Sequence, residues 1–453
     1  MTSLAQDIAR FVADLDIDRV PPEVVEKLRG CILNGYGVAM GSYQTPYHDV
    51  ATNAVLATDG ENPNGATLLL SSRKTSIGGA ALANAALFHG RCQEDTCGTV
   101  HLGAVVIPML TAMIEARNYP VARYLPALLA GYEVAGLFDK EYGVKTAPAG
   151  LRASPLYGTL GAAAAAGKMM GLNEEQLTAA IANAASFTGG ILQSFTDGTD
   201  EWRYQVGVAG RNGLTAAELA KAGSVSAVRA LEGKAGFVRA YARVDAEPAK
   251  LVERLGKDWS ALRVTFKPFP VCAFNQTPVT AGLALRDKIG TQPIKAVRVR
   301  MNPYEAGYAG MDETGPFTTI SGTLMSIPFC IAVTILHGAP DMRRMTTYDD
   351  PTINGLVEKI TLVADDKVQN LCAAIEVDLA DGTTIRHEQR MTFNDYAYDW
   401  NGVSQLMRRI GKEEGIASSV YDRLEAFVRG LPNGSIKTVI DLFAQLPRVR
   451  DAA

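Results

Sequence analysis

The sequence predicts a mostly α-helical protein: a large all-helical domain into which a smaller α+β lid domain is inserted. Three observations carry this. Residues 1–265 run as one Ala- and Gly-rich helical segment after another, residues 266–398 turn to alternating β-like runs, and helical periodicity returns over 399–453. The length, 453 residues, exceeds what one ordinary core organises. The first and last stretches are therefore expected to share one domain.

The elements follow in order. Ser3 is an N-cap residue type, and Leu4, Ile8, Phe11 and Val12 after it fall on one helical face. Pro22 occupies a first-turn position ahead of EVVEKLRGCILNGYGVAM. Helical patterns continue at 75-TSIGGAALANAALFHG, 103-GAVVIPMLTAMIEA, 122-ARYLPALLAGYEVAGLF, 158-GTLGAAAAAGKMMG, 174-EEQLTAAIANAAS and 207-GVAGRNGLTAAELAKAG. Small residues on several faces let helix backbones approach closely, which predicts a compact buried bundle. No heptad is sustained long enough for a coiled coil. In the insertion, 294-IKAVRVRMN and 357-VEKITLVADD read as strands. The run 374-AIEVDLADGTTIRHEQR reads as a hairpin, with Ile375, Val377 and Leu379 alternating before an Asp381-Gly382 turn. One apolar helix, 324-LMSIPFCIAVTILHG, is expected to stop at Gly338. Helices at 402-GVSQLMRRIGKEEG, 419-SVYDRLEAFVRGL and 435-SIKTVIDLFAQL complete the pattern.

Composition narrows the class of function. With 47% hydrophobic and 20% charged residues, the balance is that of a soluble globular protein. The net charge is −4 and no Lys/Arg block occurs, so nucleic acid is not an expected partner. A bound anion would need local positive charge. The N-terminus lacks a basic leader before an apolar core, and no uncharged apolar run reaches membrane-spanning length. A cytoplasmic protein without a membrane partner is expected. Cys31, Cys92, Cys97, Cys272, Cys330 and Cys372 are scattered, which predicts buried thiols rather than a disulfide framework. Neither GxGxxG after a strand nor GxxxxGK[ST], HExxH, CxxC or GxSxG occurs, so no cofactor and no metal are expected. The densest set of reactive side chains is 92-CQEDTCGTVH, where His101 lies near Glu94 and Asp95 without a second histidine close by in sequence.

Eight landmarks then occur in order: 89-HGRCQEDT, His101 ahead of an apolar helix, 131-GYEVAGLF, 158-GTLGAAAAAGK, 207-GVAGRNGLTAAELAKAG, 231-LEGKAGF, 266-FKPFPVC and 325-MSIPFCIAVTILHG. Together they resemble the MmgE/PrpD family, which includes 2-methylcitrate dehydratase, cis-aconitate decarboxylase and iminodisuccinate epimerase. The resemblance implies a helical domain with an α+β lid, a homodimer, a site in the cleft between the domains, and a small polycarboxylate substrate. It also implies the site residues, and there the sequence departs from the dehydratases. Their first motif resembles ALDFDDT…HPS; Cys92 stands where its leading Asp would be, while Asp95 and Thr96 keep the trailing DT. The histidine six residues before the Gly of GTLG corresponds to Arg152. A lysine five residues before the next motif corresponds to Trp202, with Arg203 beside it. His101 and Lys267 are retained, and a family tyrosine corresponds to Tyr304 or Tyr308.

Family chemistry removes a proton or CO₂ beside a carboxylate, which requires a proton-transfer group and cations. Arg152 suits a bidentate carboxylate clamp, with a structural ion pair as the alternative. His101 and Lys267 are candidates for an acid–base pair, with Tyr304 or Tyr308 as a substitute donor. Lys267 could instead clamp a carboxylate, and His101 could instead be a capping or core histidine. Asp95, Thr96, Cys92 and Arg203 complete the expected substrate contacts. Cys92 is read as a buried thiol before a proton donor, and Arg203 could pair with Asp200 or Glu201. His89, at a helix end, reads as structural; His48, His337 and His387 lie outside the motifs. Without the Asp and His equivalents, dehydration is harder to stage. The leading expectation is a cofactor-independent epimerase of an iminodisuccinate-like polycarboxylate. A hydro-lyase acting on 2-methylcitrate is the alternative, and a family member that binds a carboxylate without turnover is the third reading.

Overall fold

The computed structural model describes residues 2–447. They divide into two compact units. The second comprises Leu192–Trp202 and Lys267–Ala397; the first takes the rest, including Arg203–Phe266 and the chain from Tyr398 onward.

The first unit is helical. Helix α1 (Leu4–Asp14) starts with a capping box in which Ser3 and Gln6 satisfy each other's backbone N–H groups. Leu4, Ile8 and Val12 are buried there, and Phe11 is half-buried. Helix α2 (Pro22–Gly41) has Pro22 in its first turn. There follow α3 (Tyr47–Asp59), α4 (Ile77–Phe88), α5 (Leu102–Arg117), α6 (Tyr124–Thr146), α7 (Ala153–Met170), α8 (Glu174–Ser186) and, from Arg203 onward, α9 (Glu201–Lys221). The middle helices are buried nearly all round: every residue of α5 from Leu102 to Ile114 is shielded. Close approach explains the small residues. A Cβ on Gly161 of α7 would lie 2.5 Å from the Gly131 carbonyl oxygen of α6, so only glycine lets these two backbones meet. Helices α10 (Trp400–Glu413), α11 (Ser418–Gly430) and α12 (Ile436–Phe443) return to this unit, with α10 and α11 packed on α2. Val403, Leu406, Met407 and Ile410 form the buried stripe of α10.

The second unit is built on a four-stranded sheet: β1 (Ile294–Met301), β2 (Ile360–Ala364), β3 (Cys372–Leu379) and β4 (Thr384–Arg390), in the order β2-β1-β3-β4. The β1–β2 pair is parallel and the others antiparallel. Val297, Val299, Met301, Ile375, Val377 and Leu379 are buried, and the helix Gln276–Ile289 packs against β3 and β4. The hairpin turns at Gly382, whose φ of 90° favours glycine.

Three local expectations are corrected. The apolar run 324–338 is two helices, Ile320–Met325 and Ile327–His337, because Ser326 is extended and its Oγ accepts from Phe329 N–H at 3.0 Å to start a new helix. That second helix does stop at Gly338. The strand read from 357 begins at Ile360, since Asp350 caps a helix, Pro351–Val357, ahead of it. Finally, Leu192–Trp202 belongs to the second unit. Trp202 donates its indole N–H to Ser321 Oγ at 3.1 Å, and Ser321 donates to Asp200. Five of the six cysteines are buried, and Cys372 is partly so. Among the described residues, no helix is long and apolar enough to cross a membrane.

One buried carboxylate gives the first unit a pH signature. Glu133 on α6 accepts from the N–H groups of Ser260 and Ala261, each at 2.9 Å, and so caps the short turn Ser260–Arg263. Burial pushes its carboxyl up from 4.5 to about 7, against the pull of those two donors. An acid raised on folding is ionised first in the unfolded chain, so its contribution falls as pH rises from the unfolded value through the folded one. Across that window the loss is on the order of 3 kcal/mol. In Glu133→Gln, urea-denaturation free energy should therefore fall less steeply between about pH 5 and 7 than in the parent; parallel curves would assign the slope elsewhere.

Candidate active site

Helix α4 ends at Phe88 and α5 begins at Leu102, and the loop between them carries the reactive motif. The two helices pack together, which brings both ends of that loop side by side. Arg91 anchors the loop. It is fully buried and donates to Gly41 O at 3.0 Å and Gln93 Oε1 at 2.8 Å, and it pairs with Glu413 at 2.6 Å and with Glu414. At Cys92 the backbone turns left-handed, with φ 56°. Further on, Thr96–Cys97 pairs antiparallel with Val264–Thr265.

Asp95 and Thr96 hold this loop in place. Asp95 is buried and accepts from Gly103 N–H at 2.9 Å and from the Tyr132 hydroxyl, so it caps the first turn of α5. A Cβ on Gly103 would lie 2.6 Å from the Asp95 carboxylate, so glycine permits that contact. Burial pushes the Asp95 carboxyl up to about 6, opposed by these hydrogen bonds. The Thr96 hydroxyl meets that of Thr265 at 2.6 Å. The sequence reading gave both residues to the substrate; the structure gives both these anchoring bonds.

Glu94 joins two histidines. Its Oε1 lies 3.2 Å from His89 Nδ1 and 3.1 Å from His101 Nδ1, and the two rings are 5.2 Å apart. On the far side, His89 Nε2 is 2.6 Å from an Arg152 Nη. A guanidinium can only donate, so Nε2 of His89 accepts and its proton sits on Nδ1, toward Glu94. His101 Nδ1 also lies 3.3 Å from the Asp95 carbonyl oxygen, which can only accept. Nδ1 of His101 therefore carries a proton, and Nε2 is the nitrogen that can exchange one. The His89 and Glu94 side chains are wholly shielded, whereas the His101 side chain is 16% exposed. His101 is the accessible end of a buried chain running Arg152–His89–Glu94–His101.

Two sequence readings change here. His101 stands at the N-cap position of α5, yet its side chain makes no capping bond, so the ring is committed to the network. His89 does end α4, but its ring serves Glu94 and Arg152 rather than the helix terminus. Glu94 is absent from the residues that the resemblance implies for the site. The available signal was spacing: His89, Glu94 and His101 flank the junction of two packed helices.

The remaining candidates are placed as follows. Arg152, 2% exposed, also donates to Gln205 Oε1 at 3.1 Å. Arg203 is fully buried, with its guanidinium 3.9 Å above the Tyr47 ring. Cys92 is 5% exposed. These residues, with Asp95, Thr96 and His101, lie in the first unit. Lys267, 2% exposed, opens the second unit's long segment. Tyr304 and Tyr308 lie in that unit too, edge-on to Phe274 at 5.9 and 5.1 Å. Among the described residues, no group of three or more His, Cys, Asp or Glu side chains is arranged to hold a metal ion.

Comparison with known proteins agrees with the order of the motifs. The MmgE/PrpD N-terminal domain matches residues 6–248 and the MmgE/PrpD C-terminal domain matches 269–394. Cis-aconitate decarboxylase of Aspergillus terreus is 22% identical over 484 residues, covering 99% of this chain and 94% of its own. The cis-aconitate decarboxylase-like protein oryM of Aspergillus oryzae is 23% identical, covering 84% of this chain and 85% of its own. Cis-aconitate decarboxylase of Homo sapiens is 33% identical over a shorter stretch, 42% of this chain and 40% of its own. The family is one of enzymes, and the two domain matches together take in most of the sequence. The chain belongs to the MmgE/PrpD family.

Proposed function

We propose that this protein is a cofactor-independent lyase acting on a small polycarboxylate, and that the group it removes is CO₂. The observation that carries the reading is His101: its Nδ1 is held by Glu94 and the Asp95 carbonyl, and it is the solvent-accessible member of the network. In the reaction the C–C bond to the departing carboxylate breaks, and its electron pair stays on carbon, delocalised toward a neighbouring carboxylate. The His101 imidazolium gives that carbon its Nε2 proton, forming C–H, and solvent then reprotonates the ring. Arg152 and Arg203 supply fixed positive charge in the same unit, suited to the remaining carboxylates.

Loss of water asks for more. A leaving hydroxyl must also be protonated, and Cys92 and Arg152 stand where the dehydratases resemble one another in Asp and His. Epimerisation, the sequence's leading expectation, needs a second proton-transfer group on the opposite face. The relatives, named as decarboxylases, favour the lyase over the isomerase.

The test is turnover in D₂O of cis-aconitate, 2-methylcitrate and iminodisuccinate, followed by NMR. Release of CO₂ with deuterium entering at the carbon it left is the expected result. Water loss to an alkene would make the protein a hydro-lyase. Deuterium entry with loss of optical purity and no bond cleavage would make it an epimerase. Saturable binding without any of these would support a non-catalytic carboxylate binder. In the same assay Lys267→Ala should abolish turnover; a variant as active as the parent removes Lys267 from the mechanism.

A further inference from the structure

We propose that Glu94 is the charge partner of His101, fixed in place by His89 and Arg152, and that it keeps the imidazole able to carry the transferred proton. The inference rests on the lyase reading above and assigns Glu94 and His89 as positioning residues that touch no substrate.

The geometry orders the chain from one end. Arg152 cannot accept, so it leaves the His89 proton on Nδ1, and that nitrogen lies 3.2 Å from Glu94 Oε1. Glu94 meets both imidazoles through the same oxygen. A wholly buried carboxylate costs several kcal/mol to desolvate unless donors and opposite charge compensate it. Here His89 lies beside the carboxylate as a neutral ring, while His101 can become a cation 3.1 Å from the same oxygen. The negative charge is therefore strongest in effect when His101 holds a second proton. The groups close to this ring include the Asp95 carbonyl on the same loop and the His89 ring at the end of α4, while Arg152 at the start of α7 contacts that His89 ring. No proton passes through Glu94; it biases where the proton on His101 rests.

Glu94→Gln tests this without removing the shape, because the amide keeps the size of the carboxylate and one oxygen acceptor. The His101 titration, followed by NMR in the ligand-free protein, should lie above the ordinary histidine value of about 6.5 in the parent. In Glu94→Gln it should fall by about one pH unit or more. Turnover should drop by about 10²-fold with KM changed less than about threefold, the split expected when only proton transfer is affected. Glu94→Asp restores the charge and should recover most of the titration midpoint. An unchanged midpoint in Glu94→Gln with reduced turnover would reduce Glu94 to a packing role and overturn the proposal. Should Glu94→Gln fail to fold, a parent His101 midpoint at or below the ordinary value would overturn it equally. The midpoint is read without substrate. A parent protein inactive on all three carboxylates, yet showing the predicted shift, would sink the lyase reading and leave the Glu94–His101 pairing standing.

Discussion

His101→Asn is expected to lower turnover by about 10²- to 10⁴-fold, the range seen when a positioned proton-transfer group is lost. Asparagine can place its amide N–H close to where Nδ1 now lies, so the contacts to Glu94 and to the Asp95 carbonyl can persist. What it cannot supply is a titrating Nε2 at the accessible edge. The backbone N–H of residue 101 still donates to Ser154 Oγ, now at 3.1 Å, so the entry to α5 is kept. Turnover measured by NMR should collapse while the thermal midpoint stays within a few degrees. Activity above about a tenth of the parent would remove His101 from the proton-transfer step.

Arg91→Ala is expected to have the largest effect on stability, about 3–5 kcal/mol. The side chain is fully buried, and its removal leaves the Gly41 carbonyl and the Gln93 amide oxygen without this donor. Glu413 and Glu414, at the C-terminal end of α10, would then lose the Arg91 cation beside the negative end of the helix. The urea midpoint of the first unit should fall while the slope of its transition holds. Combining Arg91→Met with Glu413→Gln and Glu414→Gln should recover much of the loss, because the cost lies in stranded charge more than in lost volume. If the combined variant is no more stable than Arg91→Ala, packing around Arg91 dominates instead. Turnover should also fall in Arg91→Ala, since Cys92 and Glu94 follow in the same loop.

Local chemistry made much of the fold legible. Ser3 with Gln6, Pro22, Gly338 and the Asp381-Gly382 turn are side-chain or backbone signals whose physics acts within a few residues. The change of texture near 265 and 400 reflects a change from helical to alternating burial, and the units divide at Phe266 and Tyr398. What escaped was nonlocal. Leu192–Trp202 joins the second unit through Trp202 and Asp200 meeting Ser321, over a hundred residues away, and nothing in its own composition announces that. The break at Ser326 was readable in principle, because Ser-Ile-Pro is a helix start placed inside an apolar run. At the candidate site, motif order points to His101 as the residue to test. The part played by Glu94 was not, because a carboxylate in a polar loop becomes a buried charge only when α4 and α5 bring His89 and His101 onto it.

The Arg91 cluster also sets an order of assembly. A ribosome delivers the reactive loop early and the carboxylates at 413 and 414 more than three hundred residues later. Throughout that interval the second unit's long segment, Lys267–Ala397, emerges complete and can fold by its own contacts. The Arg91 cluster of the first unit waits for α10, so the loop lacks its Glu413 and Glu414 contacts until that helix has been made. A nascent chain stopped before residue 413 would carry every residue of the Arg152–His89–Glu94–His101 chain and still lack the two carboxylates that pair with Arg91.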